Sequence, residues 1–138
     1  MAIKQISVFL ENNVGRLGEV TRVLAQVGVN IRAISIADTA DFGILRLIVD
    51  REDTALTALA EGGFTTRVSD VAAVEIDDTP GSLAKVMELF QKLQVNIEYL
   101  YASLESKAGK AVVIFKLEDH EQGMQIVREH GLSTVGSF

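Results

Sequence analysis

From Ile3 to Leu10 the chain alternates Ile6, Val8 and Leu10 with Gln5, Ser7 and Phe9, the period of a strand with one buried face. A polar turn, Glu11-Asn12-Asn13, follows, and either asparagine is a candidate helix cap. Between Gly15 and Val27 the apolar positions Leu17, Val20, Leu24 and Val27 recur at helical spacing, with Val23 widening the stripe. Gly28 stands where a helix C-terminus favours glycine. Val29 to Ala37 is strand-like, and Asp38-Thr39-Ala40-Asp41 turns the chain. Phe42 to Asp50 is a nearly continuous apolar strand, the pattern of burial on both faces. Glu52 to Glu61 reads as a short helix with Ala55, Leu56 and Leu59 inward, Asp53 or Thr54 as its cap and Gly62-Gly63 as its end. Phe64 to Ser69 is a fourth strand, placed at an edge by Thr65, Thr66 and Arg67.

The same series then repeats. Sixty-six positions after Gly15, Leu17 and Val20 come Gly81, Leu83 and Val86, and Val29-Asn30-Ile31 returns as Val95-Asn96-Ile97. The second copy begins without a linker. Its expected elements are a strand at Val71–Ile76, a helix with Leu83, Val86, Met87, Phe90 and Leu93 inward, a strand at Val95–Leu104, a turn at Ser106–Gly109 and a strand at Lys110–Leu117. A last helix opens at Asp119 and buries Met124 and Val127, and Leu132–Val135 closes the series. Asp78-Thr79-Pro80-Gly81 reads as a helix start, with the chain's single proline in the first turn. The second turn between strands is two residues longer, because Gly131 answers Gly63 at an offset of sixty-eight. Each copy is βαββαβ. The expected fold is therefore α+β: two tandem ferredoxin-like units, residues 1–70 and 71–138, each an antiparallel sheet with its helices on one face. Units this small are marginal alone, so the chain is expected to form a homodimer or higher homo-oligomer.

Composition narrows the function. A net charge of −6 argues against nucleic acid and against anionic membranes. There are no cysteines, hence no disulfide, thiol nucleophile or thiolate metal site. Met1-Ala2-Ile3-Lys4-Gln5 lacks the apolar run of a signal peptide, no stretch approaches the length of a membrane span, and cytoplasm is the expected location.

Catalytic chemistry is thin. His120 and His130 stand apart near helix ends, no histidines and carboxylates share ligand spacing, and no serine nucleophile motif is present. No catalytic residue, metal or cofactor is expected. Arg16 and Asn30 echo an acylphosphatase, an arginine opening a helix with an asparagine beyond it, but the glycine-rich anion loop is incomplete and the second copy has Ser82 at the arginine's place. The repeated glycine turns are more informative. A turn of this kind opening a helix leaves backbone N–H groups unpaired, which suits a small anion. The plain alternative is that the glycines serve only the turn and Asn13 and Thr79 only capping. A cation in a helix's first turn opposes the dipole, so Arg16 is easier to understand beside an anion or an acidic partner, the alternative being that it points into water.

The pattern polar-x-Pro-Gly-x-Leu, then a helix, then Gly-Val-Asn-Ile and a strand, resembles the ACT domain, and it does so twice across essentially the whole chain. Thr79-Pro80-Gly81-Ser82-Leu83 carries it well; the first copy has Val14 in place of proline but keeps Gly15, Leu17, Gly28, Val29, Asn30 and Ile31, and the second has Gln94 in place of the glycine. The resemblance is to stand-alone tandem ACT proteins. It implies a non-catalytic amino-acid sensor, with a small amino acid held between ACT units. The loops Glu11, Asn12, Asn13, Val14, Gly15, Arg16, Leu17 and Asp78, Thr79, Pro80, Gly81, Ser82, Leu83 would take the carboxylate, with Asn12, Asn13, Asp38 or Asp78 near the ammonium. The second strands would add Ser35 from one unit and Tyr99 and Tyr101 from the other, unless the tyrosines are interface or core residues. A regulatory subunit of an amino-acid biosynthetic enzyme, without a ligand of its own, is the other class of reading.

Overall fold

The computed structural model describes residues 3–11, 13–38, 41–104 and 107–136, and of Asp38 the backbone alone. One compact unit covers Lys4–Ser69 and a second covers Asp70–Ser137. The first contains β1 (Ile3–Glu11), α1 (Arg16–Gln26), β2 (Ile31–Asp38), β3 (Phe42–Val49), α2 (Glu52–Glu61) and the start of β4 (Thr65–Asp77). The second contains the rest of β4, α3 (Ser82–Lys92), β5 (Ile97–Ala102), β6 (Lys110–Leu117), α4 (His120–Glu129) and β7 (Ser133–Thr134).

Strand order is β2-β3-β1-β4 in the first unit and β7-β4-β6-β5 in the second, so both have the ferredoxin-like layout. Pairings of β3 with β1 and β2, and of β6 with β4 and β5, are antiparallel. The predicted alternation holds: Ile6, Val8 and Leu10 of β1 and Leu45 and Leu47 of β3 pack against Val20 and Leu24 of α1 and Ala55 and Leu59 of α2. In the second unit Ala72, Val74, Val113, Phe115 and Leu117 meet Val86, Phe90, Met124 and Val127. Both helices of each unit thus cover one face of its sheet.

Several expectations need correction. Strands four and five are one strand: β4 runs through Ser69-Asp70 without a break, since nothing between Thr65 and Asp77 is a glycine or proline that would stop extension. Val27 is a half-exposed C-cap rather than part of the buried stripe, because α1 ends one residue earlier. The opposite face of β1 is solvated only at its end, where Phe9 and Glu11 are exposed: Gln5 and Ser7 are buried, and the Gln5 amide donates to the Ser7 hydroxyl at 3.3 Å. That bond satisfies polar groups whose burial would otherwise be costly.

The two helix ends answer the Gly28/Gln94 difference. Both residues are left-handed, at φ +69° and +57°. In the first unit Arg51 donates to the carbonyl of Val27 at 2.7 Å, and its guanidinium stands 3.0 Å from where a β-carbon on Gly28 would lie, so a side chain is doubly disfavoured. Its counterpart in the second unit is Asp119, which caps α4 instead by accepting from the Gln122 N–H at 3.1 Å. Gln94 therefore meets no guanidinium and carries only the backbone strain. Gln94→Gly is expected to stabilise the protein by about 1 kcal/mol. Urea denaturation checks this, and an unchanged midpoint would mean that the glutamine side chain offsets the strain.

Candidate functional site

The two glycine loops have nearly the same geometry. Gly15 and Gly81 both have φ +89° and are the N-caps of α1 and α3, and neither helix receives a side-chain cap. Asn13 and Thr79 thus do not cap as expected. They offer their carbonyls instead, to the N–H of Arg16 at 3.3 Å and of Ser82 at 3.2 Å. Pro80 precedes the N-cap rather than occupying the first turn, because the left-handed glycine comes between it and α3. The carbonyls of Gly15 and Gly81 accept from Glu19 and Lys85 at 2.9 and 3.1 Å. The N–H groups of Leu17 and Gly18, and of Leu83 and Ala84, are left without partners among the described residues. Those are the free donors that the turns imply.

Around the first loop, Glu11 accepts from the Asn13 amide at 3.1 Å, and Val14 and Leu17 are exposed. Asn12 lies outside the described residues. Around the second, Asp78 donates its N–H to Gly109 at 3.0 Å, Thr79 and Ser82 share a hydroxyl hydrogen bond of 2.8 Å, and Leu83 is partly exposed. Arg16 has its acidic partner: it binds Glu19 at 2.8 Å and lies 4.5 Å over the Phe64 ring, a cation–π contact. Its position needs no external anion.

The second strands stand apart from their own loops. Register places Ser35 opposite Arg46, which in turn faces Ser7, four residues or about 13 Å of strand before Glu11. Tyr101 is level with Ile114 and Ala73, four residues before Asp77. Ser35, Tyr99 and Tyr101 lie on the sheet face away from the helices, because their partners alternate with the core residues Leu45, Leu47, Val113 and Phe115. Tyr99 and Tyr101 stack with centroids 6.5 Å apart, and Tyr101 is buried.

Asn30 does not join Arg16. The two flank opposite ends of α1, about 16 Å apart for a helix of this length, and the Asn30 N–H donates to Asp50 at 3.0 Å. An acylphosphatase-type pair is thus not assembled. Among the described residues no group of three His, Asp or Glu comes together as a metal site, and no helix is long and apolar enough to cross a membrane.

Sequence reasoning named Ser82 but missed the residues that gather round it. In the second unit a cavity of about 290 Å³ opens between β4, α3, the start of β6 and the approach to β7, lined among others by Glu75, Asp77, Ser82, Lys85, Lys110 and Leu132. Lys110 is ion-paired to Asp77. That hydrogen bond, and the charge with it, holds the Asp77 carboxyl below its usual range and raises Lys110. Lys85 forms no close ion pair among the described residues, although its charge also acts on Asp77. The signal available in sequence was the repeat itself, which sets Lys85 on Glu19 and Ser82 on Arg16.

Two ferredoxin-like units, each with a helix opening on a left-handed glycine, define a tandem α+β module. The chain belongs to the ACT domain pair family, which it matches over residues 1–137. It is similar to protein BT0572 from Bacteroides thetaiotaomicron, at 38% identity over 98% of this chain and 92% of that one, with a TM-score of 0.92. It shares its fold with the regulatory subunits of aspartate kinase from Thermus thermophilus (21% identity, 91% and 90% covered, TM-score 0.67) and Thermus flavus (23%, 91% and 90%, TM-score 0.60). No curated protein matches it.

Proposed function

We propose that the chain is a non-catalytic regulatory module that senses a small amino acid, through two ACT domains at 1–70 and 71–138. The observation that carries this reading is the pair of helix starts: each opens on a glycine at φ +89°, lacks a side-chain cap and leaves two N–H groups unpartnered among the described residues. Oriented donors at a positive helix end suit a carboxylate. Membership of the ACT domain pair family supports an amino acid as the ligand class. Asn12, Asn13, Asp38 or Asp78 are the proposed acceptors for the ammonium group. Ser35, Tyr99 and Tyr101 are proposed to choose among side chains from the second strand of a neighbouring ACT unit. Output follows when the ligand binds one assembly state more tightly than another, in a homo-oligomer or with an amino-acid biosynthetic enzyme as partner. An acidic chain in the cytoplasm, engaging neither nucleic acid nor membrane, fits this role.

Thermal denaturation with each common amino acid tests the reading. A ligand at ~100-fold excess over its Kd is expected to raise stability by ~2.7 kcal/mol. No stabilisation by any amino acid at millimolar concentration would sink it and favour an interaction subunit without a ligand.

A further inference from the structure

The clefts beside the two glycine loops carry opposite chemistry. In the first unit the cleft is filled from within: the Arg16 guanidinium lies 4.5 Å over Phe64 and binds Glu19 at 2.8 Å, and its Nε is sealed from solvent. The repeat replaces all three groups in the second unit, Arg16 by Ser82, Glu19 by Lys85 and Phe64 by Leu132. All three replacements line the cavity of about 290 Å³. The first unit has a cavity of about 330 Å³ over part of the same ground, but it is bounded by Phe9, Glu11, Phe42 and Ile44 and does not reach α1. The Arg16 guanidinium itself occupies the ground between α1 and Phe64.

Charge decides what the open cleft takes. Where the first unit presents Glu19 to its own Arg16, the second presents an exposed Lys85 with no close ion-pair partner among the described residues, beside the Lys110–Asp77 pair. The group that complements Lys85 is an anion. Glu75 and Asp77 line the same cavity and supply acceptors for a cation beside it, although Lys110 already engages Asp77. One carboxylate and one ammonium on a small molecule match that arrangement, and the volume is at the small end of ligand pockets. We infer that the second unit alone carries the amino-acid site, in the cleft of Ser82, Lys85 and Glu75, and that the first is closed by its own Arg16, an inference that rests on the amino-acid-sensing reading above.

The test is calorimetric titration of the full chain with each common amino acid, with amide NMR on the wild-type complex. One ligand per chain is expected, with shifts at Ser82–Val86 and Ser133 and none at Arg16–Val20. Lys85→Glu, which restores the charge of Glu19, is expected to weaken binding about tenfold or more, as loss of a charged hydrogen bond does. The double variant Arg16→Ser, Glu19→Lys is expected to add a second site. Binding that persists in folded Lys85→Glu, or wild-type shifts centred on Arg16–Val20, overturns this inference and leaves the sensing role standing. Absence of binding by every amino acid overturns both. Should Lys85→Glu fail to fold, the wild-type shifts alone decide.

Discussion

Phe115→Ala is expected to unfold the second unit or bring it to the edge of unfolding. Phe115 is fully buried in β6 and meets Phe90 of α3 edge to face, with centroids 5.5 Å apart and planes at 71°. This pair joins sheet to helix at the centre of a core that also holds Val74, Val86, Leu117 and Val127. Truncating a buried phenylalanine costs about 3–5 kcal/mol, the lost transfer energy together with the cavity left behind. A unit of this size has a total stability of only about 3–10 kcal/mol. Guanidinium denaturation followed by circular dichroism reads the loss directly. A change under about 1 kcal/mol would mean that the core collapses around the gap far better than close packing allows.

Gly81→Val is expected to destabilise the protein by about 1–3 kcal/mol, and Gly15→Val by a similar amount. The reason differs from the one the sequence suggests. From sequence alone, glycine in these loops suggests a route kept open to the helix N–H groups, which a valine side chain would narrow. The space beside both glycines is in fact empty within 4 Å, so a β-carbon meets no atom. What forbids valine is φ +89°, a left-handed conformation that a β-branched residue adopts only with strain. Gly81→Asn separates the two effects, because asparagine tolerates the left-handed region while still placing a side chain by the loop. It is expected to cost under about 1 kcal/mol. Equal losses for the valine and asparagine variants would show that backbone strain is not the cause.

The loops, the proposed site and the fold became legible at different levels. Both glycine turns and the helices they open were visible as a repeat in register. The orientation of the sheets was visible too, since Ile6, Val8 and Leu10 reach the core by strict alternation. The caps were not. Asn13 and Thr79 have the composition of capping residues, but the glycine two positions later turns the chain so that their carbonyls, not their side chains, meet the helix. Nor was the partner of Arg16 fully legible: Glu19 is one helical turn away, but Phe64 arrives only when β4 folds beside it.

The sequence by itself determined the elements, their repetition and the buried face of each, because burial periodicity is a local property written every two residues in a strand and every three or four in a helix. It also determined the absence of thiol chemistry, since a chain without cysteine has none under any fold. Tertiary structure alone decided that strands four and five are one, that Gln5 and Ser7 are buried on the face alternation leaves over, and that Arg51 excludes a side chain at Gly28. It alone decided that one cleft is filled by Arg16 while its counterpart, with Lys85 and Lys110, stays open. Each of these depends on residues distant in the chain meeting in space, and pairwise contact between distant positions leaves no period in a single sequence.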